Sequence, residues 1–480
     1  MNQRMVFSTV GKVIWSEAVM LLLPLFVSLW YGEKCTVPIL LTMVIAMALG
    51  AALTYLLRPR SRVIYAKDGF AIVTLGWVAL SAIGALPFVL SGEIPSYVDA
   101  FFETVSGFTT TGASILRNVE DMSRGLLFWR SFTHWVGGMG ILVLVMAVIP
   151  GMSDRSIHIM RAEMPGPIVG KLVPRAKDTA KLLYTIYVGM TLLEIALLLA
   201  GGMPLFDSLI HSFGTAGTGG FGMKADSIAS YSPYLQWVIT VFMALFGVNF
   251  NLYYLILARR FRSAFHSTEL WVYLGILVIS AVLITVNILP LFPTVSDAAR
   301  AASFQVSSIM TTTGFATANF DLWPGFSKAI LLLLMFIGAC AGSTGGGIKV
   351  SRVILLAKFV GREIRSLVRP RSVSRVRFEG KTLEPAAVGS VGVYLAAYAF
   401  CFAVIVLLLC LDSFDFITNF SAAAACFNNI GPGLAVVGPA GNYAAFSPLA
   451  KLLLSLAMLL GRLEIYPILI VLIPATWRKQ

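Results

Sequence analysis

Charged side chains are scarce in this sequence. Asp, Glu, Lys and Arg make up 12% of its 480 residues, against about 25% in an ordinary soluble protein. Hydrophobic residues make up 58%, and the mean hydropathy is +0.84. This composition excludes a soluble globular domain and indicates a membrane protein. In a soluble protein the net charge of +13 would suggest nucleic acid as a partner. Here the basic residues follow membrane topology, so we expect no nucleic-acid partner.

Cysteines and common catalytic motifs are also few or missing. The five cysteines form no CxxC pair and no Cys/His ligand spacing, which argues against a disulfide framework, a zinc site or haem attachment. No HExxH, GxSxG or GxxxxGK[ST] motif occurs, so the sequence predicts no enzyme and no cofactor. One enzyme hypothesis stays open, which is intramembrane chemistry at His134, Glu194 or Glu464. These groups lie on distant apolar runs and make a poor active site.

Apolar runs of about 20 residues, enough to cross roughly 30 Å of hydrocarbon, recur along the whole chain. Ten candidate spans cover residues 13–31, 37–57, 69–90, 126–149, 182–201, 234–257, 270–292, 326–360 (interrupted), 386–411 and 449–475. Basic residues cluster in four of the intervening segments, at 58–67, 151–181, 258–268 and 349–381. The positive-inside rule places these segments and both termini in the cytoplasm. Acidic residues lean towards the outer side, where they would concentrate cations at a pore mouth.

Four glycine-containing loops recur at similar intervals. The sequence Thr-Thr-Thr-Gly ends at Gly112 and again at Gly314, and looser relatives contain Gly219 and Gly431. Each loop follows a short apolar segment, at 97–108, 205–215, 298–310 and 414–427. At 1.5 Å per residue such a segment forms a helix of roughly 20 Å, which is too short to cross a bilayer. The pattern predicts an all-α polytopic membrane protein with ten transmembrane helices and four re-entrant pore half-helices. These elements would form four pseudo-fourfold repeats around a central pore.

The four loops are candidates for an ion selectivity filter. Irregular backbone at membrane depth is tolerated only where it is buried in protein or lines a wet cavity. Half-helices that enter from outside direct their negative C-terminal ends at the pore centre and so favour a cation, whose water shell the loop carbonyls can replace. The predicted filter residues are Thr110, Thr111, Gly112, Gly217, Thr218, Gly219, Thr312, Thr313, Gly314, Asn429, Ile430 and Gly431. The alternative is four ordinary glycine turns between membrane helices.

A second glycine-rich segment interrupts the eighth span. Several glycines within a few residues strongly disfavour a helix, so we expect a loop at mid-depth beside a polar cavity. Arg462, in the last span, is expected at a similar depth, where its charge would repel a cation or bind the loop carbonyls. The predicted gate consists of Gly342, Ser343, Thr344, Gly345, Gly346, Gly347 and Arg462. The alternative is a flexible kink that only lets helices pack.

Other charged residues allow two interpretations. Arg130, Glu194 and Glu464 lie inside spans, where ionisable groups are functional candidates, but we favour structural pairing between helices. The basic stretch 349–381 favours cytoplasmic topology and contact with anionic membrane lipid.

An ordered set of motifs resembles the Trk/Ktr/HKT superfamily of potassium transporters, specifically its TrkH-type membrane subunits. The matching stretches are TTTGA at 109–113, FWRS at 128–131, HSF at 211–213, TGGF at 218–221, GVNFNL at 247–252, MTTTGF at 310–315, AGSTGGGIK at 341–349, NNIGPG at 428–433 and LGRLEI at 460–465. The likeness covers essentially the whole chain, and residues 1–57 match the two extra N-terminal spans of this branch.

The resemblance implies a function and partners. It implies gated potassium uptake across a bacterial-type inner membrane, with potassium as the substrate at the filter and no other metal. Glycine at Gly112 is the family pattern that favours potassium over sodium. The resemblance also implies that the glycine-rich loop and Arg462 form the gate. It further implies a homodimer and a cytosolic nucleotide-binding regulatory ring of the TrkA/KtrA type that docks on 349–381. A proton- or sodium-coupled symport mechanism stays open as an alternative.

The repeats predict the domain boundaries. A two-span hairpin covers residues 1–67 and lacks a glycine loop. Four pore repeats follow at 68–150, 151–258, 259–381 and 382–480, and the third contains the gating loop.

Overall fold

The computed structural model describes residues 1–58, 65–140, 176–370, 376–383 and 385–477. This part of the chain is predominantly helical, and its small sheet is a hairpin of two-residue strands, β1 (Arg377–Phe378) and β2 (Lys381–Thr382). The predicted helical class is therefore confirmed. Residues 151–175 of the predicted cytoplasmic segment 151–181, and the end of the fourth candidate span beyond residue 140, lie outside the described residues.

The α-helices of the described residues have the following bounds. In chain order they are α1 (Gln3–Met20), α2 (Leu22–Tyr31), α3 (Thr36–Leu56), α4 (Ala66–Gly84), α5 (Leu86–Ser91), α6 (Tyr97–Phe108), α7 (Arg124–Gly138), α8 (Ala176–Ala200), α9 (Leu205–Gly217), α10 (Pro233–Phe246), α11 (Phe250–Leu257), α12 (Phe261–Phe265), α13 (Thr268–Ile288), α14 (Val295–Met310), α15 (Gly325–Phe336), α16 (Val350–Val368), α17 (Pro385–Leu409), α18 (Phe416–Phe427), α19 (Pro448–Arg462) and α20 (Tyr466–Leu472).

Within the described residues, six helical stretches are long and apolar enough to cross a membrane. They are Gln3–Tyr31, Thr36–Leu56, Ala66–Ser91, Asp178–Ala200, Thr268–Leu291 and Gly389–Leu409. Each coincides with a candidate span from the sequence, and large apolar side chains are exposed along them, as lipid contact requires. The structure thus supports a multi-pass membrane protein.

Other candidate spans are not the continuous helices that the sequence suggested. The sixth candidate, 234–257, breaks between α10 and α11, which are bent by 92° relative to each other. The last candidate, 449–475, breaks between α19 and α20, where Glu464 and Ile465 have positive φ angles of 55° and 68°. The prediction of unbroken spans at these two places is wrong, because hydropathy detects apolar length but not backbone direction.

The N-terminal hairpin packs closely and is attached to the next segment. Helices α1 and α3 cross at Gly11 and Gly50, where a β-carbon on Gly50 would lie only 2.7 Å from the Gly11 carbonyl oxygen. Glu33, after α2, accepts hydrogen bonds from the backbone N–H groups of Arg124 (2.7 Å) and Gly125 (2.8 Å). Its carboxylate therefore satisfies free donors at the start of α7.

The four short segments before the glycine loops are the helices α6, α9, α14 and α18. Three of them begin at side-chain caps. Ser96 accepts from the Asp99 N–H, Thr294 from Asp297 and Asp415 from Thr418. We call α6, α9, α14 and α18 the pore helices, and the loops after them loops 1 to 4.

Candidate functional site

All four pore helices end in the same hydrogen-bond pattern. In loop 1 the Thr110 N–H bonds to the Gly107 carbonyl (3.1 Å) and the Thr111 N–H to the Ser106 carbonyl (2.9 Å), which together form a Schellman motif. Equivalent bonds recur in the other loops, as Thr218 to Thr215 with Gly219 to Gly214, Thr312 to Ile309 with Thr313 to Ser308, and Asn429 to Cys426 with Ile430 to Ala425. The bonds define which residues of the four loops are equivalent.

A left-handed residue that is not glycine closes each of these motifs. These residues are Thr110 (φ 57°), Thr218 (φ 55°), Thr312 (φ 61°) and Asn429 (φ 58°). Left-handed backbone costs a residue with a β-carbon about 1 kcal/mol. Four such residues at one place mark strained loops held by their surroundings, as is common at functional sites.

A left-handed glycine follows two residues later in each loop. The glycines are Gly112 (φ 77°), Gly220 (φ 77°), Gly314 (φ 82°) and Gly431 (φ 96°). The sequence pattern matched Gly219 of loop 2 with Gly112 of loop 1, and the structure corrects this match by one residue. Gly220, and not Gly219, is equivalent to Gly112, because Gly219 corresponds to Thr111.

These four glycines bring the loops together in a closed ring. A β-carbon on any of them would overlap a carbonyl oxygen of the next loop, at less than 3.0 Å. Gly112 meets the Gly219 carbonyl, Gly220 meets Thr313, Gly314 meets Ile430, and Gly431 returns to Thr111. The four loops therefore surround one axis, and their close approach requires glycine at each contact.

The predicted filter residues lie in or directly behind this ring. The threonines and Asn429 are fully buried. Hydrogen bonds between neighbouring loops add to the contacts, since the Asn429 side-chain amide donates to the Thr111 hydroxyl at 2.9 Å. Gly217 lies farther back, where it packs against the His134 carbonyl of α7.

The glycine-rich segment between α15 and α16 lies directly beneath the ring. We call residues 340–348 the gate loop. The Gly346 N–H donates to the Thr312 hydroxyl of loop 3 at 2.7 Å. The Glu269 carboxylate holds both flanks by accepting from the Ala341 N–H (2.8 Å) and the Ser351 N–H (3.0 Å). The loop is thus attached to the candidate filter and anchored at its ends.

Arg462 joins the gate loop to the opposite side of the axis. Its guanidinium donates to the Thr344 carbonyl of the gate loop (2.9 Å) and to the carbonyls of Gly137 (2.6 Å) and Gly138 (2.7 Å) at the end of α7. The side chain therefore bridges three separate segments of the fold. The sequence predicted its contact with the loop, and it ends α19 next to the strained break at Ile465.

A second cation at the gate loop was missed by sequence reasoning. Lys349 is buried, and its ammonium donates to the carbonyls of Gly345 and Gly346. In the sequence Lys349 is the first residue of the basic stretch 349–381. It was therefore assigned to the cytoplasmic segment, and its contact with the loop carbonyls was not predicted. Lys349, Arg462 and Glu464 line a cavity of about 50 Å³ beneath the loop. Two cationic side chains therefore line the cavity on the gate-loop side of the ring.

The whole sequence matches a known family. The TrkH family model, described as a cation transport protein, matches residues 37–479. This chain belongs to the TrkH family. It is 36% identical to the Trk system potassium uptake protein TrkH of Salmonella typhimurium and 37% identical to that of Vibrio parahaemolyticus, over the full length of each chain.

A solved TrkH-family structure has the same fold. The chain aligns with the crystal structure of the potassium transporter TrkH from Vibrio parahaemolyticus over the full length of both chains, with a TM-score of 0.90 and 35% sequence identity. The overall fold that contains the two bent spans and the gate loop is therefore the fold of a solved TrkH-family structure.

Two of the charged residues within spans pair structurally in this TrkH-family chain, as we favoured from the sequence. Arg130 donates to Glu103 of the first pore helix at 2.6 Å, and its guanidinium stacks 3.4 Å from the Phe221 ring centroid. Glu464 pairs with Arg352 of α16. Glu194 is fully buried in α8, which packs against the second pore helix.

A second cavity is lined by charges of the opposite sign from those that the sequence suggested for a pore mouth. On the far side of the ring from the gate loop lies a cavity of about 140 Å³, and the charged residues that line it are Arg117, Arg130 and Lys224. The acidic residues Glu120 and Asp226 lie in the same loops as Arg117 and Lys224 but do not line the cavity. The charged residues of the lining are therefore basic, and the acidic residues that the sequence suggested for a pore mouth lie outside it.

Proposed function

We propose that this TrkH-family chain is the membrane subunit of a Trk-type potassium uptake system. Potassium would cross through one pore per chain, formed by four pseudo-fourfold repeats with ten spans, some of them bent. The closed ring of glycine and carbonyl contacts carries the proposal, because it brings carbonyl oxygens of all four loops together around one axis, and carbonyl oxygens are the groups that replace potassium hydration in a filter. The relatives named above, which are potassium uptake proteins, support the choice of ion.

The polarity of the pore helices supports a cation substrate. Each helix ends at the ring, so its C-terminal carbonyls and the negative end of its dipole point to the axis. The carbonyls of Gly219, Thr313, Ile430 and Thr111 are the proposed ion ligands in the plane of the closest contacts. One plane of four close contacts offers fewer ordered layers than a longer filter, and we expect moderate rather than extreme discrimination.

The gate loop and Arg462 would close this pore from the inside. In the described conformation Arg462 and Lys349 place two positive charges beneath the filter, where they oppose a passing cation. The loop is continuous with α16, which runs from Val350 to Val368 and exposes Lys358 and Arg365. A cytosolic nucleotide-binding ring that binds α16 could therefore pull the loop aside. We propose this partner, together with a homodimeric assembly in a bacterial inner membrane.

Rubidium-86 uptake into liposomes that contain only this chain tests the proposal. We expect uptake that unlabelled potassium suppresses more strongly than equimolar sodium or lithium. Empty liposomes are the control. Equal suppression by all three ions would contradict potassium selectivity. Uptake that is driven against a rubidium gradient by an imposed proton or sodium gradient would instead support the coupled symport alternative.

Thiol labelling tests the proposed orientation. In a chain whose exposed Cys410 is replaced by serine, Ser366→Cys on α16 should react with an impermeant maleimide only after the cells are opened. Asn118→Cys in an outer loop is the matched control and should react in intact cells. Labelling of Ser366→Cys from outside would contradict the topology. A cysteine at Ser374 is expected to react in the same way, only from the cytoplasmic side, but Ser374 lies outside the described residues.

A further inference from the structure

Loop 2 lacks a side-chain pair that supports two of the other loops. In loop 1 the hydroxyls of Thr109 and Thr111 contact each other at 2.8 Å, and in loop 3 those of Thr311 and Thr313 do the same. All four are fully buried behind the carbonyl ring. The equivalent residues in loop 2 are Gly217 and Gly219, which have no side chains.

The ring of His134 occupies the space that the missing threonine would need. A β-carbon on Gly219 would overlap the Nδ1, Cγ and Cε1 atoms of that imidazole, all at less than 3.0 Å. His134 is fully buried in α7, and the ring of Phe221, just after loop 2, stacks on the imidazole with ring centroids 4.2 Å apart. The imidazole therefore packs against both Phe221 and the backbone of loop 2.

The backbone of Gly219 does not itself require glycine. Its φ angle lies outside the left-handed region, unlike that of Gly220. A side chain at position 219 is therefore excluded by the histidine and not by the backbone angle. Loop 4 has a related support, since the Tyr398 hydroxyl of α17 donates to the Asn428 side chain at 2.7 Å.

We propose that His134 is a positioning residue for ion selectivity, whose imidazole replaces the threonine pair behind loop 2 and fixes the Gly219 carbonyl. This inference rests on the proposed function, because the Gly219 carbonyl contacts Gly112 within the ring that we assign as the filter. Without the imidazole, a void would remain behind loop 2, on the side away from the axis of the ring. The Gly219 carbonyl could then move and bind a smaller ion such as sodium.

Removing the side chain at position 134 and adding one at position 219 tests this inference. Rubidium-86 uptake is measured in liposomes at equal protein content, with potassium and sodium as competitors, for H134A, G219S and the double variant. H134A should lower the preference for potassium over sodium about tenfold while uptake continues. G219S alone should lose most uptake, because its β-carbon overlaps the imidazole. The double variant should regain uptake and at least half of the lost preference on a logarithmic scale, since serine then fills the space and restores a hydroxyl.

The outcomes separate this inference from the function on which it depends. If the wild type shows no potassium preference, the proposed function fails. If the wild type is selective and H134A keeps the same preference, the inference about His134 alone fails. If H134A does not reach the membrane, the double variant becomes the test of the inference about His134. A folded double variant that prefers potassium supports this inference. A double variant that is absent from the membrane or has no potassium preference contradicts it.

Discussion

Arg462→Ala should raise rubidium-86 flux through the chain reconstituted without partners by about tenfold or more. The substitution removes hydrogen bonds to Thr344, Gly137 and Gly138, which connect the gate loop to the end of α7. A hydrogen bond to a charged group is worth about 1.5–3 kcal/mol, and about 1.4 kcal/mol corresponds to a factor of ten. Loss of even one of them should therefore shift the gate markedly towards the open state. The removed charge also lowers the barrier to a cation.

Matched variants sharpen this prediction. Arg462→Lys keeps the charge but cannot reach three carbonyls from one planar group, so an intermediate flux is expected. Arg260→Ala removes an exposed arginine far from the cavity beneath the loop and should leave the flux unchanged. Shortening the loop within 342–347 should raise flux as Arg462→Ala does. If both changes leave the flux equal or lower at normal protein content, the gate assignment is wrong.

Gly314→Ser and Gly112→Ser should each lower the preference for potassium over sodium by about tenfold or more, equivalent to about 1.4 kcal/mol. Both glycines have positive φ angles, 82° and 77°, and a β-carbon on either would overlap a carbonyl oxygen of the neighbouring loop. The displaced carbonyls belong to Ile430 and Gly219, which we assign as ion ligands. Because the change is local to the ring, we expect reduced selectivity with largely retained folding.

Competition of rubidium-86 uptake by potassium and sodium measures this loss. Gly325→Ser is the matched control, since nothing lies within 4 Å of a β-carbon there and its φ angle lies outside the left-handed region. The control should keep the wild-type preference. Unchanged preference in both ring variants, with uptake retained, would show that the loops are not the filter.

The sequence predicted the elements of the site better than their local geometry. Segment length alone identified the pore helices, because a helix of about 12 residues cannot cross a bilayer. It did not reveal the left-handed Thr110, Thr218, Thr312 and Asn429, since threonine rarely adopts that conformation. In loop 2 three glycines lie within four residues, and residue type could not indicate which one has positive φ. The hydrogen bonds of the Schellman motif resolved the register.

The direction of side chains and backbone around the gate loop was also beyond sequence reasoning. Lys349 follows the gate loop, but its ammonium turns back to the loop carbonyls instead of extending into the cytoplasmic segment. The 92° bend after α10 lies within a continuous apolar run, where hydropathy gives no sign of direction. There the Cys340 N–H bonds to the Gly247 carbonyl (3.0 Å) and the Phe250 N–H to the Gly342 carbonyl (3.0 Å). The gate loop thus satisfies the backbone groups that the bend releases.

Anomalous diffraction from crystals of this chain grown with thallium, a heavy substitute for potassium, tests the central claim most directly. We expect a peak on the axis of the ring, within coordinating distance of the carbonyl oxygens of Thr111, Gly219, Thr313 and Ile430. Excess potassium should remove the peak, and an equal concentration of sodium should leave it. A ring without a peak in crystals that bind thallium elsewhere, or a peak displaced equally by sodium, would contradict a potassium filter at these loops.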